Sequence, residues 1–173
     1  MDTQKKIRIT IIGSSGTIGS FLAHKYIQNG NIVNLSYRKK KQILKLKKFI
    51  NYEKSKKKIK FFEFNIFNEK SILKSIKKNY EIFSLTDILI ITIAEQGEIE
   101  NFFDTSISKF KKTISINFMS YLLFLRSLKT ILKKKNMTVI LFSGGGSTSY
   151  RKNFSSYSIS KLCLVKLTEI LSH

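Results

Sequence analysis

Ile9-Thr10-Ile11-Ile12-Gly13-Ser14-Ser15-Gly16-Thr17-Ile18-Gly19 is an apolar run that breaks into glycines three residues apart and then into a helical pattern. Ile7 to Ile12 reads as a buried strand and Thr17 to Asn29 as the helix behind it. In that setting the first glycine permits a tight turn, the second lets backbone approach a pyrophosphate, and the third lets helix pack on strand. The helix N-terminus adds N–H groups and a partial positive charge. Gly13, Ser14, Ser15, Gly16, Thr17, Ile18 and Gly19 therefore point to a dinucleotide cradle, against the plainer reading of a turn with an accidental glycine rhythm.

Outward from this junction, strands and helices alternate. Ile32 to Ser36 is a second strand, followed by a Lys-rich helix over about Lys39 to Tyr52. Lys58 to Phe64 is a third strand, Glu69 to Asn79 a helix, and Asp87 to Ile93 a strongly apolar fourth strand. An acidic loop, Ala94 to Asp104, leads to one long helix or two from Ser106 to about Lys135. Met137 to Phe142 is a fifth strand and Ser155 to Leu171 a final helix. Strand–helix alternation predicts an α/β fold, a Rossmann-type doubly wound parallel sheet. Right-handed crossovers give the strand order 3-2-1-4-5. No repeat or linker divides the chain, so residues 1–173 read as one dinucleotide-binding domain.

Composition narrows the function classes. With 42% apolar and 12% aromatic residues, the chain is unlike a disordered one. No apolar run reaches the 18 or so residues of a membrane span. A single cysteine, Cys163, cannot close an internal disulfide, which favours the cytoplasm. His24 and His173 are too few and too dispersed for a metal site, so none is expected. The net charge of +21 admits a polyanion partner such as nucleic acid. Lysines are spread along the whole chain and only Arg8, Arg38, Arg126 and Arg151 are arginines, which favours compositional bias instead. The densest basic stretch runs from Arg38 to Lys60 and holds one acid, Glu53.

The end of the second strand bears on cofactor choice. An acid there would bond a ribose 2′-hydroxyl, whereas a basic residue accommodates a 2′-phosphate. Asn34-Leu35-Ser36-Tyr37-Arg38-Lys39 has no acid. NADP(H) is therefore expected over NAD(H), with Arg38 against the phosphate; the alternative is that Arg38 and Lys39 merely open the basic helix.

Tyr157 and Lys161 stand four apart, on one face of the last helix. An ammonium beside a phenol favours phenolate and suits proton transfer near neutral pH. The same spacing recurs at Tyr37/Lys41 and Tyr52/Lys56, so context must separate the third pair. Ser143 lies 14 residues before Tyr157, at the end of the fifth strand.

In glycine loop, apolar fourth strand, Ser143 and Tyr157/Lys161, taken in order, the chain resembles the short-chain dehydrogenase/reductase family over nearly its full length. Asn153-Phe154-Ser155-Ser156-Tyr157-Ser158-Ile159-Ser160-Lys161 is similar to the start of that family's active-site helix. Asn117, in Ile114-Ser115-Ile116-Asn117-Phe118-Met119-Ser120, is similar to the asparagine of its catalytic tetrad. The resemblance implies NAD(P)-dependent hydride transfer to or from a carbonyl or alcohol substrate, with Tyr157 as acid and base. Ser143 would hold the substrate oxygen, with Ser147 its rival. Lys161 would hold the nicotinamide ribose and lower the pKa of Tyr157, and Asn117 would keep a helix kink and anchor a water. It also implies a homo-oligomer through the 106–135 and 155–172 helices.

Three departures accompany the resemblance. Ile91-Thr92-Ile93-Ala94 stands where the family has an Asn-Asn-Ala-Gly-like segment. Asn65 replaces the acid near the adenine. The family continues into sixth and seventh strands, so the chain is expected to be C-terminally incomplete, with an open sheet edge. A noncatalytic dinucleotide-binding module is the alternative from another class, and a polyanion-binding basic protein the third.

Overall fold

The computed structural model describes residues 6–67, 69–132 and 136–172. Five parallel strands form one sheet in the order β3-β2-β1-β4-β5. β1 is Arg8–Ile12, α1 Thr17–Gln28 and β2 Ile32–Tyr37. They are followed by α2 (Lys41–Phe49), α3 (Tyr52–Ser55) and β3 (Ile59–Glu63). Next come α4 (Glu69–Lys78), α5 (Tyr80–Leu85), β4 (Ile88–Ile91) and α6 (Ile107–Ile114). A π-helical turn at Ser115–Met119 joins α6 to α7 (Ser120–Ser127), and α8 (Lys129–Leu132) precedes β5 (Thr138–Leu141) and α9 (Ser155–Leu171).

Alternation along the strands sorts their side chains into two cores, one on each face of the sheet. Ile9 and Ile11 of β1 pack with Ala23 and Ile27 of α1, while Ile12 faces the opposite side. β4 divides likewise, Ile90 joining the first core and Leu89 and Ile91 the second. Burial on both faces is why these strands read as unbroken apolar runs. The second core is braced by rings: Phe64 and Phe124 stand 4.9 Å apart edge to face, with Phe62 and Phe83 against them. The polar groups buried between β1, β2 and the start of β4 are paired. Asn34 donates to the Thr10 hydroxyl at 3.1 Å, Thr10 shares a 2.6 Å bond with Thr86, and Thr86 bonds the Ile82 carbonyl.

Several boundaries differ from those expected. The Lys-rich helix ends at Phe49 rather than Tyr52, because Asn51 turns into the left-handed region at φ 52°. The long helix from Ser106 is interrupted by the π-helical turn around Asn117 and again after Ser127; its expected tail at 133–135 lies outside the described residues. α5 has no counterpart in the sequence reading. It begins where Asn79 bonds its side chain to the carbonyls of Ser75 and Glu63, stopping α4 and leaving too short a window for periodicity to register.

β5 pairs with β4 alone among the described residues. Its strand is only partly buried, unlike β1 and β4. A groove of about 890 Å³ runs along this edge, walled by Leu122, Leu125, Met137, Val139, Leu141 and Leu167. No helix among the described residues is long and apolar enough to cross a membrane.

Candidate active site

Because all strands are parallel, their C-terminal ends share one rim, and the candidate residues gather there. At the end of β1, Gly13 adopts φ 87°, a conformation that side chains disfavour. Its N–H donates to the Ser36 hydroxyl at 3.0 Å, and its carbonyl accepts the Gly16 N–H at 3.0 Å. Gly19 is needed for another reason: a Cβ there would collide with the Gly13 carbonyl and stand 2.8 Å from the Ser14 Cα. Gly16 faces outward and would meet nothing nearer than the Gly13 carbonyl at 3.4 Å, which leaves the outer face of the loop open. α1 starts at Thr17 with no acid in its first turn to compete for an anion. The arrangement fits a pyrophosphate, with Ser15, Thr17 and Ile18 on its rim.

Ser14 turns its side chain inward. It is fully buried and its hydroxyl donates to the Ser36 carbonyl at 2.6 Å, so its side chain braces the loop instead of facing a ligand. Thr92 supplies another brace, donating to the carbonyls of Ile12 and Gly13 at 3.2 and 3.1 Å. That is how Ile91-Thr92-Ile93-Ala94 ties β4 to the cradle despite its departure from the family segment.

At the ends of β2 and β3, the Arg38 guanidinium stacks 4.6 Å from the centre of the Phe67 ring. Asn65 accepts the Phe67 N–H at 3.1 Å and so shapes the same corner. Gln42 was not anticipated. Its side-chain oxygen accepts the N–H groups of Arg38 and Lys39, at 2.8 and 2.9 Å, and its nitrogen donates to the Ser15 hydroxyl at 2.9 Å. Gln42 thus joins the glycine loop to the corner carrying Arg38. A glutamine three residues after Lys39, where the helix is expected to begin, is the signal that could have found it.

Across the rim, Asn117 is fully buried within the π-helical turn. It pairs with both backbone groups of Glu95 at 2.7 Å, accepting the N–H and donating to the carbonyl. It also donates to Ser160 at 3.1 Å, and Ser160 donates to the Tyr157 carbonyl at 2.7 Å. Asn117 therefore clamps the loop after β4 to the first turns of α9.

Lys161 is 2% exposed, and its Nζ donates to the Phe142 carbonyl at 2.8 Å. Nζ lies 5.8 Å from the centre of the Tyr157 ring and 6.0 Å from that of Tyr121. Burial lowers the Lys161 pKa to about 8, so it still carries most of its charge at pH 7. Tyr121 is fully buried, donates to the Ile93 carbonyl, and has its pKa raised, chiefly by burial and secondarily by Tyr157.

Ser143 is not the residue against the Tyr157 hydroxyl. Gly144 is: a Cβ there would collide with that oxygen and stand 3.0 Å from the ring. Ser143 instead lines a groove with Leu141, Leu164 and Thr168. Neighbours at the end of a strand point to opposite faces, so one residue decides the matter. Ser147, the rival, is buried and donates to the Gly144 carbonyl at 2.8 Å. Among the described residues, the N–H groups of Gly144, Gly145 and Gly146 meet no acceptor. The hydroxyls of Ser155, Ser156 and Ser158 are buried without a partner.

The family model for short chain dehydrogenases matches residues 8–173. No curated protein matches the chain significantly. Among solved structures, a short chain dehydrogenase from Salmonella enterica serovar Typhi CT18 superposes with a TM-score of 0.84 at 17% identity, over 96% of this chain and 70% of that one. One from Shigella flexneri 2a strain 301, complexed with NADP, gives 0.84 and 17% over 96% and 71% of the two chains. The oxidoreductase yciK of E. coli gives 0.84 and 17%, over 99% and 73%. At such identity the likeness carries the fold.

Proposed function

The chain belongs to the short-chain dehydrogenase family, and from that premise we propose that it is an oxidoreductase acting on a carbonyl or alcohol substrate with Tyr157 as proton donor and acceptor. The observation that carries this reading is the buried, charged Lys161 beside Tyr157, on the same rim as the open glycine loop. A bound nicotinamide dinucleotide supplies or takes up the hydride. Gly13 to Gly19 would hold its pyrophosphate, Asn65 would stand near its adenine, and Lys161 would reach its ribose.

Arg38 would hold a 2′-phosphate, which makes NADP(H) the preferred cofactor. The absence of an acid at the end of β2 supports this, as does the NADP carried by the Shigella relative. Tyr157 gives its proton to the substrate oxygen in reduction and takes it back in oxidation. The Lys161 ammonium stands on the Tyr157 side of the rim, where it would hold the ribose. Asn117 keeps α9 in register with the loop after β4, and so positions Tyr157. With Gly144 at the hydroxyl, the free N–H groups of the Gly144–Gly146 turn are the donors left to steady the substrate oxygen. Pairing of α6, α7 and α9 between copies remains part of the proposal.

Cofactor fluorescence titration and a carbonyl panel test the reading together. NADPH is expected to bind more tightly than NADH, and Tyr157→Phe to lower kcat by about 10²- to 10⁴-fold with NADPH affinity kept. A chain that binds NADPH and reduces nothing in the panel would instead be a noncatalytic cofactor-binding module. One that ignores NADPH would refute the dinucleotide reading.

A further inference from the structure

Arg151 is one of four arginines among 32 basic residues, and it sits in the segment between β5 and α9 that carries the glycine turn. Its guanidinium carbon lies 3.6 Å from the centre of the Phe154 ring and 5.9 Å from that of Tyr157. Phe154 and Tyr157 meet edge to face at 6.4 Å, so the guanidinium caps a small aromatic shelf that ends in the acid–base phenol. The same group runs beside the turn, with Nη1 3.6 Å from where a Gly145 Cβ would stand.

Stacking holds the plane of the guanidinium but uses none of its N–H donors. Among the described residues no carboxylate lies within ion-pair distance of it; the surface ion pairs there, such as Lys109–Glu98 and Lys112–Glu95, use lysines. Nearby, the Ser158 hydroxyl is buried against Gly146 without a partner. An exposed fork stacked on Phe154 and unpaired, beside the phenol proposed to react, is suited to an oxyanion, which it binds in two-pronged fashion. The net charge of +21 draws such a ligand toward the protein.

We propose that the substrate whose oxygen meets Tyr157 carries an oxyanion, a carboxylate or a phosphate ester, and that Arg151 binds it across the Phe154 shelf. This rests on Tyr157 being the acid–base residue, and it narrows the substrate class of that site to anionic carbonyl or alcohol compounds.

The test uses the full chain with NADPH. Oxo acids with the carbonyl at positions 2, 3 and 4 are compared with their methyl esters, and glyceraldehyde 3-phosphate with glyceraldehyde. Calorimetric titration with oxalate and with inorganic phosphate gives a readout that needs no turnover. Wild type should favour the charged member of one pair by about 10- to 100-fold in kcat/KM, the range of a charge-assisted hydrogen-bonded contact. Arg151→Met should bring that ratio close to one and weaken oxalate or phosphate binding equally, while Arg151→Lys restores part of both. The pair that responds tells carboxylate from phosphate. Binding that depends on Arg151 without turnover of any carbonyl would keep the oxyanion site and remove the dehydrogenase reading. Turnover of neutral carbonyls with no preference for charge would do the reverse. Equal treatment of both members, no anion binding, or a fall in NADPH affinity as large as the fall in anion affinity would overturn the proposal.

Discussion

The glycine loop after β1 and the glycine turn after β5 are built from the same small residues and held in opposite ways. In the first, the Gly13 N–H, its carbonyl and the Ser14 hydroxyl all have partners, and Thr92 ties the loop to β4. In the second, three successive N–H groups lack acceptors among the described residues, three serine hydroxyls are buried unpaired, and the strand leading in is half exposed. The frame of the glycine loop is tied to β2 and β4 while the N–H groups of Ser14, Ser15 and Thr17 meet no acceptor among the described residues; the turn after β5 is tied chiefly to itself, through Ser147. The contrast teaches that the glycine loop after β1 is held in shape by its neighbouring strands, and the turn after β5 much less so.

The most severe way to break the contrast is Gly19→Ala. The added methyl meets backbone, the Gly13 carbonyl and Ser14 Cα, which cannot step aside as a side chain can. A loss of about 3 kcal/mol is expected from the denaturant midpoint, with NADPH binding lost alongside. A loss under about 1 kcal/mol would mean that the loop is as loose as the turn after β5.

Lys161 gives the next largest effect and fixes its sign. Its folded pKa of about 8 lies below the ordinary 10.5, so the unfolded chain holds the proton more tightly. Stability should therefore rise as pH climbs from about 8 to about 10.5, by roughly 2 to 3 kcal/mol. Lys161→Met should lack that rise. Parallel denaturation curves at pH 7 and pH 10 decide it, and identical pH slopes in the two proteins would place the ammonium in water.

The smallest effect on stability is expected from Gly144→Ala. The backbone at 144 is outside the left-handed region, and the nearest atoms the methyl meets are the side-chain end of Tyr157 rather than backbone. The unfolding free energy should change by less than about 1 kcal/mol, while kcat falls roughly tenfold as the phenol is pushed aside. Unchanged turnover would show that the hydroxyl works from some other position.

Much of this was legible in the chain itself. Strand order follows from strand–helix alternation with right-handed crossovers, and the span of α9 from its helical pattern. The strand–loop–helix junction was legible because a strand, glycine spacing and a helical pattern coincide there. Ser143 and Gly144 show where such reading stops. An interval of 13 or 14 residues to Tyr157 looks much the same on paper, yet the pleat sends adjacent side chains to opposite faces. Gln42 was missed because its role depends on Ser15, 27 positions away. The break at Asn117 was hidden because a π-helical turn keeps the helical look of the sequence around it.

Tyr121 has a consequence for the proton inventory. Lys161 has two phenol rings with centres at almost equal distance from its Nζ. Tyr121 is sealed in the core and bound to the Ile93 carbonyl, so it keeps its proton throughout the working range of the protein. Of the two phenols beside the lysine, one is thereby out of proton exchange, and the proposed acid–base role of Tyr157 has no competitor from the core.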